Sequence, residues 1–215
     1  MIIAVDGPAA SGKGTLAAGL ARHYQLPHLD TGLLYRAVGR AVAPFVDTPA
    51  FEAQAIAAAK ALDTRSPLQQ EALAGAEIGV LASKVAVIAP VRQALFEAQR
   101  RFATQPGGAV LDGRDIGTVI CPEADAKLFI VADSKARMER RARQLEARGD
   151  VVDRYRLYHQ IEERDARDQA NPHGGFYQAP DAHLLDTTLL DIEAALRAAV
   201  AIVDAAVAGK AGLKP

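Results

Sequence analysis

Nine residues near the start of the chain carry the clearest chemistry: Gly7, Pro8, Ala9, Ala10, Ser11, Gly12, Lys13, Gly14 and Thr15. Gly7 and Gly12, with four residues between them, let backbone N–H groups turn into one concavity. A helix starting at Lys13 would add about half a positive charge at its N-terminus. Lys13 brings a full and mobile charge to the same point. These are the parts needed to hold a polyphosphate, and the Gly-x4-Gly-Lys spacing is that of a nucleoside-triphosphate loop. The general pattern is broken once: Gly14 occupies the usual Ser/Thr slot and Thr15 follows it. A glycine-rich turn with an exposed lysine is the other reading, and it leaves so many turn glycines behind an apolar run unexplained.

Further charges stand where a second substrate could meet the loop. Asp112 closes the apolar run Ala109-Val110-Leu111. A carboxylate there can hold Mg2+ directly or through water, with the Thr15 hydroxyl as its partner; it can equally cap a helix or turn. Arg114 and Asp115 follow between Gly113 and Gly117. That places them at the carboxyl edge of a sheet, where open α/β folds bind ligands. Between Lys135 and Arg148 six basic residues face two acidic ones, Glu139 and Glu146. A solvated helix with i,i+4 pairs is the plain reading. The functional one is a lid that closes over a nucleotide and offers Arg140 and Arg141 to the transition state. Arg164 and Asp168 are one helical turn apart, so they share a face and can bracket a monophosphate, or simply pair with each other.

These residues need a scaffold. Residues 2–5, 28–30, 109–111, 127–131 and 184–185 read as short buried strands. Helical periodicity covers 13–24, a segment from 32 carrying Leu34, Val38 and Val42, then 50–62, 77–88, a stretch opening at Pro90, 134–148, 151–168 and 191–208. On the last helix Ile192, Leu196, Val200, Val203 and Val207 are expected to face inward. Residues 63–70 read as loop. Strands alternating with amphipathic helices give βαβ units, hence an α/β fold with a parallel sheet covered on both faces.

The 215 residues are 50% hydrophobic and 24% charged, enough for one globular domain with its own core. A net charge of −1 argues against nucleic-acid polymers and polybasic membrane contacts. One cysteine, Cys121, excludes an internal disulfide. The five histidines lack zinc-ligand spacing. The opening is too short for a signal peptide, and the most apolar tail, 192–209, is broken by Glu193, Arg197 and Asp204. A cytoplasmic monomer acting on small molecules is the expectation.

The Gly-Lys-Gly-Thr ending is shared with nucleoside-monophosphate kinases, and the Asp6-Gly7-Pro8 opening resembles cytidylate kinases. The likeness continues through Leu29-Asp30-Thr31-Gly32 with Tyr35-Arg36, Ala82-Ser83 with Val91-Arg92, and the run Leu111 to Thr118. It goes on through Arg137 with Arg140-Arg141, Arg164-Asp165 with Arg167-Asp168, and Leu185-Asp186-Thr187-Thr188. The ordered blocks span about residues 2–190. The resemblance implies a P-loop NTPase fold of the nucleoside-monophosphate kinase type, with a five-stranded parallel sheet. It implies a monophosphate-binding region within about 31–105, shortened around 63–80, and a lid at about 134–170. The implied reaction is transfer of the γ-phosphoryl group of ATP to CMP or dCMP with Mg2+.

By the same resemblance, Arg36 and Arg114 clamp the acceptor phosphate, Asp115 takes the cytosine amino group, and Ser83 and Arg92 contact the base. Asp30, Thr31, Tyr35, Arg164 and Asp168 complete the acceptor site, with Lys13, Arg140, Arg141 and Arg164 as the catalytic cations. Asp30 and Thr31 also read as a helix cap. Asn171 stands where the family pattern has an arginine, so one arm of the clamp is expected to be missing, with Arg167 as a substitute one turn earlier. A P-loop kinase of another small acceptor and a nucleotide-dependent switch are the alternatives. The second lacks an Asn-Lys-x-Asp guanine-reading motif.

Overall fold

The computed structural model describes residues 1–63, 71–73, 75–170 and 176–211. In chain order these form β1 (Ile2–Asp6), α1 (Lys13–Tyr24), β2 (His28–Asp30), α2 (Thr31–Ala41), α3 (Phe51–Ala61), α4 (Ala76–Val85), α5 (Ala89–Ala103) and β3 (Ala109–Gly113). They continue with β4 (Ala126–Val131), α6 (Ser134–Glu146), α7 (Arg154–Ala170), β5 (His183–Asp186) and α8 (Ile192–Ala211). The strands make one sheet in the order β2-β3-β1-β4-β5, and every pairing is parallel. The α/β fold expected from the alternation of strands and helices is the one observed. Of the stretch read as loop, 64–70 lies outside the described residues, as do 74, 171–175 and 212–215.

The sheet is sandwiched because its central strands have no polar face to offer. All five residues of β3 are buried, as are four of the five in β1. On one side Leu34, Val38, Val91, Leu95 and Leu111 belong to a core shared with α2, α3 and α5. On the other, Ile3, Val5, Leu16, Leu20, Leu128 and Ile130 pack against α1 and α8. A third, small cluster of Met138, Ala142, Leu157 and Ile161 joins α6 to α7. The α8 stripe holds except at its start: Val203 is buried and Leu196, Val200 and Val207 pack against the core with Ala195 and Ala199, but Ile192 is 68% exposed. Small residues there let α8 lie close on the sheet, leaving the first, bulkier side chain beyond its edge.

Register decides what the sheet presents. Asp6 lies level with Gly113, and Asp30 with Asp112, so the carboxyl ends of β1, β2 and β3 finish together. The chain leaves β1 toward β2 and β3 on one side, while β4 and β5 lie on the other. That reversal of strand order opens the crevice where such sheets bind ligands. No single described helix is long and apolar enough to cross a membrane.

Candidate active site

The loop from Gly7 to Gly12 joins the buried end of β1 to the first turn of α1. A Cβ at Gly7 would meet the Ile130 carbonyl oxygen at 2.2 Å, so only glycine lets the chain pass β4 there. Gly12 has φ 91°, the left-handed region that glycine enters without strain, and it caps α1. The loop's back is braced. Arg137 Nη1 donates to the Ala9 carbonyl at 3.1 Å, and Arg140 Nη1 to the Ser11 carbonyl at 3.3 Å. The Thr187 hydroxyl donates to the same Ser11 oxygen at 3.0 Å. Ser11 is fully buried, and its Oγ has no protein partner among the described residues.

Lys13 begins α1 with its charge toward Asp112 and Asp30 and toward the guanidiniums of Arg114 and Arg164. Burial, with help from Arg114, pushes its ammonium down to about 8. Asp112 is 1% exposed; its Oδ1 lies 2.8 Å from His28 Nε2, and its Oδ2 faces the backbone of Gly14 in the first turn of α1. Burial, then the nearby Asp112, raises the Asp30 carboxyl above its ordinary range. Asp30 caps α2 by accepting from Gly32 N–H at 2.9 Å, and Thr31 Oγ1 donates to the Asp112 carbonyl at 2.8 Å. Thr15 is exposed on α1.

The loop after β3 is fixed by a residue that composition and spacing did not single out. Asp6 is buried and accepts from the backbone N–H groups of Ile116 and Gly117 at 2.8 and 2.7 Å. These donors open a π-helical turn, Ile116–Ile120, and burial nonetheless pushes the Asp6 carboxyl up to about 7. Arg114 and Asp115 are therefore held between two anchored points. Asp115 Oδ2 pairs with Arg92 Nη2 from α5 at 2.6 Å. Burial pushes the Tyr35 phenol up to about 12, with Arg92 and Asp115 both close to it. Tyr35 and Arg92 line a groove of about 290 Å³ with Phe96, Val119 and Ile120. Ser83 donates back to the Gly79 carbonyl on its own helix at 3.1 Å.

Cations converge on the remaining side. Arg114 Nε donates to Asp168 Oδ2 at 2.8 Å, and its guanidinium lies 5.8 Å from the centre of the Phe176 ring. Arg36 Nη1 donates to the Leu73 and Gly75 carbonyls at 2.8 and 3.1 Å, which aim it from α2. Burial, with Arg114 repelling it, lowers Arg36, and burial, with Arg36 repelling it, lowers Arg141. Burial, followed by Arg114, pushes Arg164 down to about 10, and its Nε has no protein partner among the described residues. Lys13, Arg36, Arg114, Arg141 and Arg164 thus form a crowd of like charge, with Asp168 paired to one member.

Arg140 faces elsewhere: besides Ser11 it donates to the Thr187 hydroxyl at 3.0 Å and to the Thr187 carbonyl. Arg167 Nε donates to Glu163 O on its own helix at 3.2 Å. Asn171, where an arginine is expected, lies outside the described residues. His28 is a site residue that sequence reasoning passed over, and Asp6 enters it only as part of the Asp6-Gly7-Pro8 opening, without its anchoring role. Only a strand-end position next to a motif could have marked them. Among the described residues no three His, Cys, Asp or Glu side chains are grouped to hold a metal.

Comparison with known proteins gives a consistent result. A family model described as cytidylate kinase matches residues 3–205. A curated relative from Xanthobacter autotrophicus, named cytidylate kinase, is 56% identical over 210 residues, covering 98% of this chain and 100% of its own. One of the same name from Methylocella silvestris is 52% identical over 206 residues, covering 96% and 95%. Among solved structures, an uncharacterized protein from Eubacterium ventriosum aligns over 95% of this chain and 98% of its own. Its TM-score is 0.55 at 16% identity, a likeness of fold alone.

Proposed function

The chain belongs to the cytidylate kinase family, and from that premise we propose how its residues pass the γ-phosphoryl group of ATP to CMP or dCMP. The protein is an ATP-dependent kinase of these monophosphates, and a switch protein or a kinase of an unrelated acceptor is not favoured. The observation that carries the residue assignment is the crowd of cations around Lys13. Five like charges drawn together and partly desolvated need an anionic ligand, and two phosphorylated substrates supply it.

The loop Gly7–Thr15 takes the donor polyphosphate on its amides, and Lys13 reaches the β- and γ-phosphates. Arg36, Arg114 and Arg164 hold the acceptor phosphate facing the γ-phosphorus. The nucleophile is already an anionic oxygen, so no general base is needed. Lys13, Arg141 and Arg164 offset the charge that spreads over the equatorial oxygens of a loose transition state. The α6–α7 pair, with a small core of its own, forms the lid that excludes water.

Asp112 and Asp30 offer hard carboxylate oxygens that suit Mg2+, and Thr15 is the hydroxyl that would join them with the donor phosphates. Such a site typically takes one or two carboxylates plus phosphate, not a protein cage. Mg2+ held there would supply positive charge to offset that of the donor phosphates. His28 occupies Asp112 Oδ1 and leaves Oδ2 toward α1.

Asp115 suits the N4 amino group of cytosine, and Arg92 suits its ring nitrogen and carbonyl. Ser83 is the third base contact, reached once its hydroxyl turns from the Gly79 carbonyl. Uracil would put a carbonyl against Asp115, a mismatch of about 1–3 kcal/mol. A cytoplasmic monomer working on small nucleotides agrees with a net charge of −1 and a buried Cys121. The test is ADP formation from ATP-Mg with each nucleoside monophosphate in turn. CMP and dCMP should support turnover and UMP far less, and Arg114→Met should raise the CMP KM at least about tenfold. Equal turnover with every acceptor would remove the base assignment.

A further inference from the structure

Three buried side-chain atoms have no protein partner among the described residues: Ser11 Oγ, Arg164 Nε and Asp165 Oδ1. The first two belong to the phosphate loop and to the group of cations described above. Asp165 does not belong to that site. Successive helix residues point about 100° apart, so Asp165 turns from the face that Arg164 presents to Arg114 and Asp168. Its Oδ2 lies 2.6 Å from Arg137 Nη2, with the two side chains 19% and 5% exposed. Arg137 uses its remaining donors on three other segments. Nη1 reaches the Ala9 carbonyl in the phosphate loop, Nε the Ala132 carbonyl after β4 at 3.0 Å, and Nη2 the Ser134 hydroxyl at the start of α6, also at 3.0 Å. One planar guanidinium therefore ties the loop that holds the donor to the helix that carries two acceptor contacts.

We propose that the Arg137–Asp165 pair is a positioning contact that couples the two nucleotide sites, setting α7, and with it Arg164 and Asp168, according to the state of the phosphate loop. A polyphosphate drawn onto the loop amides moves the Ala9 peptide. Arg137 is bonded to that peptide on one edge and to Asp165 on another, so the displacement reaches α7 through two short contacts. The fork of the guanidinium is essential, because a lysine ammonium is a compact charge that cannot span both positions in fixed geometry. By linkage the effect is reciprocal: the donor tightens the acceptor by the same factor as the acceptor tightens the donor, with couplings of about 5–150-fold being usual. The proposal rests on the kinase assignment made above.

The experiment is calorimetric binding of CMP to the full chain, alone and with a saturating non-hydrolysable ATP analogue and Mg2+. The analogue should tighten CMP by at least about fivefold in the unaltered protein. Asp165→Asn keeps the side-chain shape and removes the charge. It should leave the affinity for CMP alone within about threefold and bring the tightening close to one. Asp165→Glu should restore part of it. Arg137→Lys is read in the same way and serves if Asp165→Asn does not fold. A folded variant of either kind with undiminished tightening overturns the proposal, as does an unaltered protein with none. Failure of the kinase assignment would look different: the unaltered protein would form no ADP with CMP, whatever its binding data.

Discussion

Arg92 Nη2 stands 2.6 Å from Asp115 Oδ2, joining α5 to the loop after β3 across one wall of the groove beside Tyr35. Both side chains are mostly buried, so each restricts the rotamer of the other. Breaking such a pair leaves a buried charge without its partner.

Asp115→Asn tests that arrangement directly. The amide can still accept one hydrogen bond, but it no longer repels a carbonyl. The ratio of kcat/KM for CMP over UMP should fall by about 10–100-fold, matching 1–3 kcal/mol of lost discrimination. Steady-state kinetics with both acceptors measures it, and an unchanged ratio would detach Asp115 from the base.

Arg164 is partly desolvated beside Arg114, Arg36 and Arg167, against the carboxylate of Asp168, so it should trade stability for binding. Arg164→Met is expected to raise Tm by a few degrees and to raise the CMP KM by about tenfold or more. Thermal unfolding with and without CMP checks both, since the stabilisation that CMP gives the unaltered protein should shrink in the variant.

Lys13 sets a pH limit on donor binding. Its ammonium is pushed down to about 8 in the free protein, so the charged form dominates at neutral pH and is lost as pH rises through that value. Affinity for an ATP analogue should be level near pH 7 and weaken by up to about tenfold per unit above about pH 8. Lys13→Arg, charged throughout, should flatten the profile even if it binds more weakly.

Asp6 should impose a pH dependence on stability. Its folded value of about 7 lies above the 3.8 of an unperturbed aspartate, so the native state holds the extra proton between the two. Its contribution is therefore largest below about pH 4 and is lost as pH rises to 7 and beyond, by on the order of 4 kcal/mol at most. Urea unfolding at about pH 5 and pH 8 should show a smaller difference in Asp6→Asn than in the unaltered protein.

The fold was legible because its signals are local. A buried strand, a glycine turn and an Ala- or Leu-striped helix each announce themselves within about ten residues. The motifs also placed Lys13 at a helix start and Asp112 and Arg114 at a strand end, and the matching registers of β1, β2 and β3 bring the strand ends level. What stayed hidden depends on partners far apart in sequence. Asp6 and Ile116 are 110 positions apart, and His28 and Asp112 are 84 apart, so no periodicity could join them. The turn Ile116–Ile120 has the apolar, branched composition of a strand; only the buried carboxylate beneath its first two N–H groups explains the helical winding. Arg140 reads in sequence like its neighbour Arg141. Which carbonyls each guanidinium meets is decided by the rotation of α6 against the loop and the Thr187 segment, a tertiary fact.

The two arginines behind the phosphate loop have an electronic consequence. Each peptide unit is planar and trans, so its oxygen and its hydrogen point in opposite directions. The carbonyl of Ala9 shares a plane with the N–H of Ala10, and that of Ser11 with the N–H of Gly12. A cation bonded to the oxygen draws electron density across the amide and makes the hydrogen opposite more acidic. Arg137 and Arg140 would thereby strengthen the grip of the loop amides on a polyphosphate, by transmitting positive character through the bonds of the loop itself.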